Sequence, residues 1–298
     1  MIVALKYHKS YDIINKNHIS NMIREDFMKE LTLREIQLGE LEVLKKFAEI
    51  CDELGLRYFL HAGTLLGTIR HKGFIPWDDD VDVTMPRDDY EKLVNYFFDK
   101  GGKIGHYQLM HYKTNKNYIY GIMRLSDDRY YLDYTNAKDY GLGLFVDIYP
   151  LDGWGNNDED MVKILKRMRL NNLLIGLAGM DSFKKSPKGI MRTVVKYLVY
   201  LYAQWKGAGY FAEKLEKLGK LRSFDEDNYV GITTWNVYGY GERINKDDLQ
   251  VTTGYFEEYE FKIPKGYDRI LRNMYGDYMI PPDEKDRIGH HFYKAYKK

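Results

Sequence analysis

Two aspartates separated by a single apolar residue are the feature of this sequence best suited to chemistry. Asp80 and Asp82 lie in the stretch WDDDVDV, residues 77–83, with Val81 between them and Val83 after them. On a β-strand alternate side chains point to the same face, so both carboxylates would project together while the valines pack behind them. Two carboxylates about 7 Å apart on a rigid strand could share a hard divalent cation such as Mg²⁺, with phosphate oxygens completing its shell.

A third carboxylate occurs in a similar apolar setting further along the chain. Asp147 is the only acid in the stretch FVDI, residues 145–148. Burying a lone carboxylate is costly unless it has a partner or a metal. Two apolar strands with embedded acids therefore predict one shared site, formed by Asp80, Asp82 and Asp147.

A glycine turn upstream of these acids is a candidate for binding phosphate. Gly63 and Thr64 lie between a predicted strand and a predicted short helix, LLGTIRH, for which Thr64 would be the N-cap. Free backbone N–H groups and the positive end of a helix favour an anion there, and glycine permits close approach. Taken alone, a Gly-Thr pair is a weak signal and is usually only a turn.

The neighbouring acids have simpler interpretations. Asp78 and Asp79 are either loop acids or hydrogen-bonding partners of the loop that carries the predicted metal pair. A calcium-binding loop would also use an alternating run of aspartates, but it requires glycine at its sixth position and glutamate at its twelfth. This chain has Val83 and Asp89 there, which argues against calcium.

Helices and strands with clear start and stop signals surround these residues. A helix is predicted over about 30–54, with an apolar stripe that contains Cys51, and with Gly55 ending it. The stripe is Leu38, Leu41, Leu44, Ala48, Cys51 and Leu54. A second helix is predicted to begin in a capping-box-like pattern at Asp88 and to stop at Gly101 and Gly102. Strands are predicted at 57–62, 80–83, 118–125, 129–134 and 142–151, and in the stretch YEFKIP.

Composition sets the class of protein. The chain has 298 residues, a formal net charge of +1 and one cysteine, which fits a folded protein of a reducing compartment and gives no preference for nucleic acid. The pattern predicts an α+β core over 1–155, a basic helical insertion over 156–224 and a segment over 225–298 that completes the core. Neither a signal peptide nor a membrane-spanning run is recognisable, so we expect a cytoplasmic protein.

The basic region has two interpretations. Between residues 161 and 206 the only acid is Asp181. The region is either a helical subdomain that packs over the active site, or a membrane-surface helix in which IMRTVVKYLVYLYAQWK pairs an apolar face with cations. The second interpretation predicts peripheral contact with the inner face of the membrane. His290 and His291 have no further ligands at a spacing that would suggest zinc.

One long segment resembles a known family. The stretch HAGTLLGTIRHKGFIPWDDDVDVTMPRDDYEKL, residues 61–93, is similar to the signature of the LicD family of phosphotransferases, relatives of the fukutin-type proteins within the nucleotidyltransferase superfamily. The superfamily pattern of Gly-Ser/Thr, acid-x-acid and a later acid falls here on Gly63-Thr64, on Asp80 and Asp82, and on Asp147. The segments LTLREIQLGELEVLKKFAEIC, LFVDIYPLDG and YGDYMIPPDEKDRIGHH also resemble LicD proteins. His61 and the basic insertion depart from the family pattern.

The resemblance implies a fold, a reaction and a set of roles. It implies a DNA polymerase β-like mixed sheet flanked by helices, and transfer of a phospho-alcohol from a CDP-activated donor to a hydroxyl of a cell-surface glycan or its lipid-linked precursor, with release of CMP. Phosphocholine from CDP-choline is the best-known case; the glycans include teichoic acid and lipopolysaccharide. Asp80 and Asp82 would hold Mg²⁺, or Mn²⁺ in its place, and Asp147 would complete the metal site or accept the proton of the attacking hydroxyl. The groups expected to bind the donor diphosphate are Gly63, Thr64, Arg70, Lys72 and Arg124.

Two other classes of function stay open at this level. A true nucleotidyltransferase would use the same acids to leave a nucleoside monophosphate on a small acceptor. A non-catalytic glycan-binding protein would suit the 28 tyrosines, although it would gain nothing from a buried acid cluster. Choline, ethanolamine, glycerol and ribitol are all compatible with the residues as the transferred alcohol.

Overall fold

A computed structural model describes residues 29–115, 118, 120–134, 140–180, 182–185, 187, 189–235, 239–287, 289 and 293–298. His290 and His291 lie outside the described residues. Within them the chain forms the predicted α+β arrangement, a mixed sheet flanked by helices. The helices are α1 (Leu33–Glu53), α2 (Ala62–Arg70), α3 (Arg87–Asp99), α4 (Asp158–Ala178), α5 (Ile190–Lys206), α6 (Ala208–Gly219) and α7 (Tyr267–Tyr275).

The strands form one large sheet and two small ones. Their bounds are β1 (Phe59–Leu60), β2 (Asp82–Pro86), β3 (Lys103–Ile104), β4 (Tyr107–Met110), β5 (Met123–Asp127), β6 (Tyr130–Tyr134), β7 (Leu144–Gly155), β8 (Tyr229–Ile232), β9 (Ile244–Asn245), β10 (Val251–Phe256), β11 (Tyr259–Pro264) and β12 (Tyr293–Lys297). The large sheet runs β1-β2-β7-β5-β4-β3, and β8 pairs with β7 and β9. β10 pairs with β11, and β12 pairs with β6. Only the β2–β7 pair is parallel among these strands, which makes the large sheet mixed.

Helix α1 packs across the sheet and is anchored by its first turn. The Thr32 hydroxyl accepts a hydrogen bond from the Glu35 backbone N–H, and the Glu35 carboxylate accepts one from the Thr32 backbone N–H. Gly55, just after the helix, has φ +65° as predicted for its end. Cys51 is fully buried, and burial raises the pKa of its thiol. The predicted stripe was wrong at both of its ends: Leu38 and Leu54 are exposed, since the buried face is rotated towards Ile36, Val43, Phe47 and Ile50.

The strand that carries Asp82 begins two residues later and ends three residues later than predicted. β2 begins at Asp82, so Asp80 lies in the extended segment just before the strand. The register with β7 explains this start, because the parallel pairing begins where Asp82 faces Asp147, next to a bond from the Asp147 N–H to the Val81 carbonyl. Val81 and Val83 are fully buried in the main core, as the alternation predicts.

Helix α3 also begins differently from the prediction. Its N-cap is Pro86, which has no side-chain hydrogen bond to the helix, and Asp88 lies inside the first turn. The predicted capping box at Asp88 was therefore wrong, since the proline that ends β2 starts the helix directly. The stop was correct: Gly101 and Gly102 have φ +72° and +83°.

The chain leaves the sheet after β7 and returns with β8. Helices α4, α5 and α6 occupy the intervening residues 158–219, and β8 then pairs antiparallel with the last residues of β7. The division at 155 and 224 stays a prediction. Among the described residues, no helix has both the length and the hydropathy needed to cross a bilayer.

Candidate active site

A cavity of about 720 Å³ opens at the end of the sheet where β2 begins. This volume is within the usual range for small-ligand sites. Asp80, Asp82 and Asp147 all line it, so the structure brings the three predicted acids to one place. Further lining comes from the first turn of α2, from Arg124 on β5, and from the segment 275–286 after α7.

Neighbouring described residues fix both the backbone and the side chain of Asp82, but they leave one carboxylate oxygen without a hydrogen bond. The Thr64 hydroxyl accepts a 2.9 Å hydrogen bond from the Asp82 backbone N–H, and the Tyr149 hydroxyl contacts the carboxylate. The Oδ1 atom is buried, and no residue that the structure describes forms a hydrogen bond with it. Burial raises the pKa of Asp82 well above its usual range, and the charges of Asp80 and Asp147 act in the same direction. Asp82 is thus a buried carboxyl that gains from any cation entering the cavity.

Asp147 is paired with an arginine. Across the antiparallel β5–β7 pair it faces Arg124, whose Nε and Nη2 donate to the two carboxylate oxygens at 2.5 and 3.2 Å. The guanidinium also lies 4.3 Å from the centre of the Phe145 ring and 5.0 Å from that of Tyr120. A cation inside an apolar strand has here the anionic partner it needs, and both groups line the cavity.

The first residue of α2 and the group at its N-terminus differ from the prediction. The helix begins at Ala62 with His61 as N-cap, so the predicted N-cap at Thr64 was wrong. Thr64 is buried, does not line the cavity, and supports the Asp82 backbone instead. At Gly63 an added Cβ would lie 2.5 Å from Oδ2 of Asp78, which places that carboxylate against the first turn of the helix. A negative charge at a helix N-terminus is favourable, and Asp78 supplies it.

The two cations predicted further along α2 differ in their placement. Arg70 lines the cavity, with its Nη1 donating to the Tyr278 carbonyl at 2.6 Å. Burial lowers its pKa, and the charge of Arg287 acts in the same direction. Lys72 is exposed and is not part of the lining. The structure therefore assembles Gly63, Arg70 and Arg124 around the acids, with Thr64 behind them and Lys72 outside.

The remaining part of the cavity lining, the outer wall, was mostly not predicted from the sequence. Trp235, Tyr275 and Tyr278 line it together with the carboxylates of Glu242, Asp277 and Asp286. The available signal was the stretch YGDYMIPPDEKD, whose resemblance to LicD proteins covered Asp277, Tyr278 and Asp286 without assigning them a role. These residues give the cavity aromatic rings and further negative charge.

His61 and Glu40 are buried titratable groups beside the strand acids that were not assigned a role. Burial lowers the pKa of His61 to about 4, so its imidazole is neutral at pH 7. Glu40, on α1, is fully buried with Oε2 unpartnered; burial raises its pKa well above its usual range, and Asp80 and Asp79 add to this. A glutamate on the buried face of an amphipathic helix was the signal that could have identified it.

The acids fit a divalent cation through two of their members. Among the described residues no three His, Cys, Asp or Glu side chains are arranged so that they could hold a metal ion. Mg²⁺, however, is commonly bound by one or two carboxylates together with substrate phosphates. Asp80 and Asp82 supply such a pair, and the unpartnered Oδ1 of Asp82 is an oxygen ligand without a competing bond.

Comparison with known proteins identifies relatives over nearly the whole chain. Residues 55–164 match the family model described as LicD/FKTN/FKRP, nucleotidyltransferase domain. The lipopolysaccharide cholinephosphotransferase LicD of Haemophilus influenzae is 30% identical over 278 residues, which are 90% of this chain and 99% of that protein. An uncharacterised protein of Rickettsia typhi is 27% identical over 139 residues, 46% of this chain and 40% of that protein. A second, from Rickettsia prowazekii, is 36% identical over 52 residues, 17% of this chain and 20% of that protein.

Proposed function

The chain belongs to the LicD family, and on that premise we propose that it transfers phosphocholine from CDP-choline to a sugar hydroxyl of a cell-surface glycan. The acceptor that we favour is lipopolysaccharide or its lipid-linked precursor, because the Haemophilus influenzae relative is named for that glycan. The hydroxyl oxygen attacks the phosphorus that bears choline. The bond from that phosphorus to the CMP oxygen breaks, CMP leaves, and the hydroxyl proton passes to a base.

Asp80 and Asp82 hold Mg²⁺ in this proposal, with Mn²⁺ as the substitute. A bound divalent cation would neutralise the charge that builds on the departing CMP phosphate. The unpartnered Asp82 oxygen, set beside Asp147 at the start of the β2–β7 pair, is the observation on which the proposal rests. Thr64 keeps Asp82 in position through the backbone bond described above.

The cations of the cavity bind the donor diphosphate. Arg124 offers a guanidinium beside Asp147, and Arg70 offers a second beside the Tyr278 carbonyl. Asp147 orients Arg124 in the free protein. When a phosphate takes over the hydrogen bonds of Arg124, Asp147 would be released to accept the proton of the attacking hydroxyl.

The outer wall favours choline among the alcohols. A quaternary ammonium is bound by aromatic faces and by negative charge, because it offers no hydrogen-bond donor. Trp235, Tyr275 and Tyr278 supply the rings, and Asp277 and Asp286 supply exposed carboxylates beside them. Glycerol and ribitol carry no positive charge and would gain nothing from these acids.

Two other functions are distinguished by the product. A true nucleotidyltransferase acting on CDP-choline would leave CMP on the acceptor and release free phosphocholine, whereas the proposed reaction releases free CMP. Mass analysis of the products separates them. A non-catalytic glycan-binding protein would form neither product.

Thermal stability with CDP-alcohols is the direct test of the proposal. We expect CDP-choline to raise the Tm of the wild type in a Mg²⁺-dependent way, because ligand binding to the native state alone is stabilising. Asp82→Asn should lose this response, while Asp88→Asn, an exposed acid on α3, should keep it. The proposal fails if no CDP-alcohol stabilises the wild type with Mg²⁺.

The same assay measures the choice of alcohol. CDP-choline, CDP-ethanolamine, CDP-glycerol and CDP-ribitol are compared at equal concentration with the wild type and with Trp235→Ala. Loss of the exposed indole should weaken CDP-choline binding about tenfold and leave CDP-glycerol unchanged. Equal weakening of all four would exclude Trp235 from the choline site without affecting the metal-dependent result.

A further inference from the structure

Helix α5 turns its apolar side towards solvent. Six large apolar side chains lie within an arc of about 100° on a helical projection, and each is between 45% and 84% exposed. This outer face consists of Ile190, Met191, Val194, Leu198, Leu201 and Trp205. Tyr197 and Tyr202, also exposed, border it on either side. In a helix that packs against its own domain, such a stripe would be buried.

The opposite, more polar side of α5 attaches it to the protein. Ala203 is the one α5 residue that is fully buried. Gln204 Nε2 donates to the carbonyls of Leu177 and Met180 at 3.1 and 2.8 Å, and Lys196 Nζ donates to the Lys184 carbonyl at 2.8 Å. These bonds fix the orientation of α5, so the exposure of its apolar side is part of the fold.

The charges on α5 and in the segment just before it are almost all positive. The sequence from 161 to 206 contains ten lysines and arginines and one acid, Asp181, and α5 itself contains no acid. Arg192 is exposed on α5, and Lys184 and Lys185 are exposed just before it. At the other end, Lys206 Nζ lies 4.2 Å from the centre of the Trp205 ring. On the same projection Lys206 lies about 60° and Arg192 about 100° beyond the edge of the outer face, so the polar side of α5 carries the cations. A helix with an apolar face and a cationic polar side is complementary to a surface that is both apolar and anionic.

We propose that α5 docks on the surface of an anionic phospholipid bilayer. The helix lies in the plane of the membrane, with the aliphatic side chains and Met191 of the outer face among the acyl chains and the cations at the phosphate level. Trp205 and the bordering tyrosines occupy the interfacial layer that such rings prefer. A second copy of the chain suits the face less well, because two outer faces in contact would bring their cations together without any α5 acid to pair with them.

The proposal stands on the surface of α5 and does not depend on the reaction. It is tested by sedimentation of the full chain with vesicles of phosphatidylcholine alone and of phosphatidylcholine with 30% phosphatidylglycerol, at about 0.05 M and 1 M salt. We expect at least tenfold stronger binding to the anionic vesicles at low salt. At 1 M salt we expect a marked loss of binding, because the attraction between charges is then screened beyond about 3 Å.

Paired variants test whether vesicle binding depends on the outer face or on any exposed apolar side chain. Leu198→Gln with Trp205→Gln should abolish binding to anionic vesicles, and Arg192→Gln with Lys206→Gln should weaken it about tenfold. Phe98→Gln, on α3, removes an equally exposed apolar side chain and should change nothing. Circular dichroism checks that each variant is folded.

Two results would overturn the proposal. One is the absence of sedimentation with anionic vesicles at low salt by the folded wild type. The other is a mass of two chains by light scattering without vesicles that falls to one chain in the Leu198→Gln, Trp205→Gln variant, since this would make the face an interface between copies.

Discussion

At the scale of single residues, the cavity depends on close contacts behind the acids as much as on the acids themselves. Gly63 leaves room for the Asp78 carboxylate at the start of α2, and Thr64 holds the Asp82 backbone. Both contacts are made within the protein, behind the cavity surface that Gly63, Asp78 and Asp82 line. Their effect is to set where the carboxylates point, which decides whether two oxygens can bind one cation.

Gly63→Ala should disrupt the site without unfolding the protein. The new Cβ would lie 2.5 Å from Asp78 Oδ2, so the carboxylate must move. We expect a loss of at least tenfold in Mg²⁺-dependent CDP-choline binding, measured by titration calorimetry, with little change in Tm. Gly176→Ala in α4 is the matched control: nothing lies within 4 Å of its added Cβ. Alanine there should be neutral or stabilise by about 0.5–1 kcal/mol. Unchanged binding by Gly63→Ala would show that Asp78 has no part in the site.

At the scale of elements, α3 joins the sheet to the helices that follow it. Glu91 on α3 pairs with Lys113 and Lys220, each at 3.0 Å, and Lys220 directly follows α6. Burial alone would raise the pKa of Glu91, but the hydrogen bonds from Lys220 and Lys113 outweigh it and lower the pKa to about 2. The pairing therefore stabilises the folded state only while Glu91 is ionised.

This pairing predicts a defined dependence of stability on pH. Because the folded pKa is lowered, the stabilisation is complete above the unfolded pKa of about 4.3 and is lost as pH falls towards 2. Glu91→Gln should cost on the order of 1–3 kcal/mol in the free energy of unfolding at pH 7, and the difference from wild type should shrink between pH 4.5 and 3. Urea unfolding at several pH values measures this. Glu49→Gln, which removes an exposed pair with Lys46, is the control and should cost under about 1 kcal/mol. A difference that is the same at every pH would contradict the role given to Glu91.

The elements that sequence could predict are those with local signals. The glycines after α1 and α3 and the alternation of Val81 and Val83 all act within a few residues. Register between distant strands has no such local signal. The facing of Arg124 and Asp147 follows from strand pairing, so sequence identified both residues without showing that they bind each other.

The outer wall of the cavity escaped prediction for a related reason. Trp235 and the residues 276–286 lie outside the α-helices and strands, where neither helical nor strand periodicity marks which side chains face inwards. Asp80 was placed on a strand because its alternation with Asp82 is strand-like. The actual start of β2 is set by β7, a partner more than 60 residues away.

At the scale of the whole molecule, a buried ion pair links three parts of the chain. Arg87, the first residue of α3, donates from Nε and Nη2 to the two oxygens of Asp152 on β7, at 2.6 and 2.9 Å. Both side chains are buried. The last residue of α6, Gly219, packs against them so closely that an added Cβ would lie 2.3 Å from Asp152 Oδ2.

Breaking this pair should destabilise the protein more than any surface change. Asp152→Ala leaves the Arg87 charge buried without its partner, which typically costs about 3–5 kcal/mol. The double variant Arg87→Met, Asp152→Leu removes both charges and should recover most of that loss. Urea unfolding of the three proteins checks this. A double variant as unstable as Asp152→Ala would mean that the shape of the pair, and not the unpaired charge, is responsible.

The cavity also has a consequence for how the chain becomes functional during its synthesis. Its walls come from four stretches, near residues 61–82, 124–149, 232–242 and 275–286. About 195 residues separate Asp82 from Asp277, which at ~5–20 residues per second takes a ribosome roughly 10–40 s. During that interval Asp80 and Asp82 are already made while the opposite wall does not yet exist. A nascent chain therefore cannot enclose its donor, and binding is confined to molecules whose last wall has been translated and folded into place.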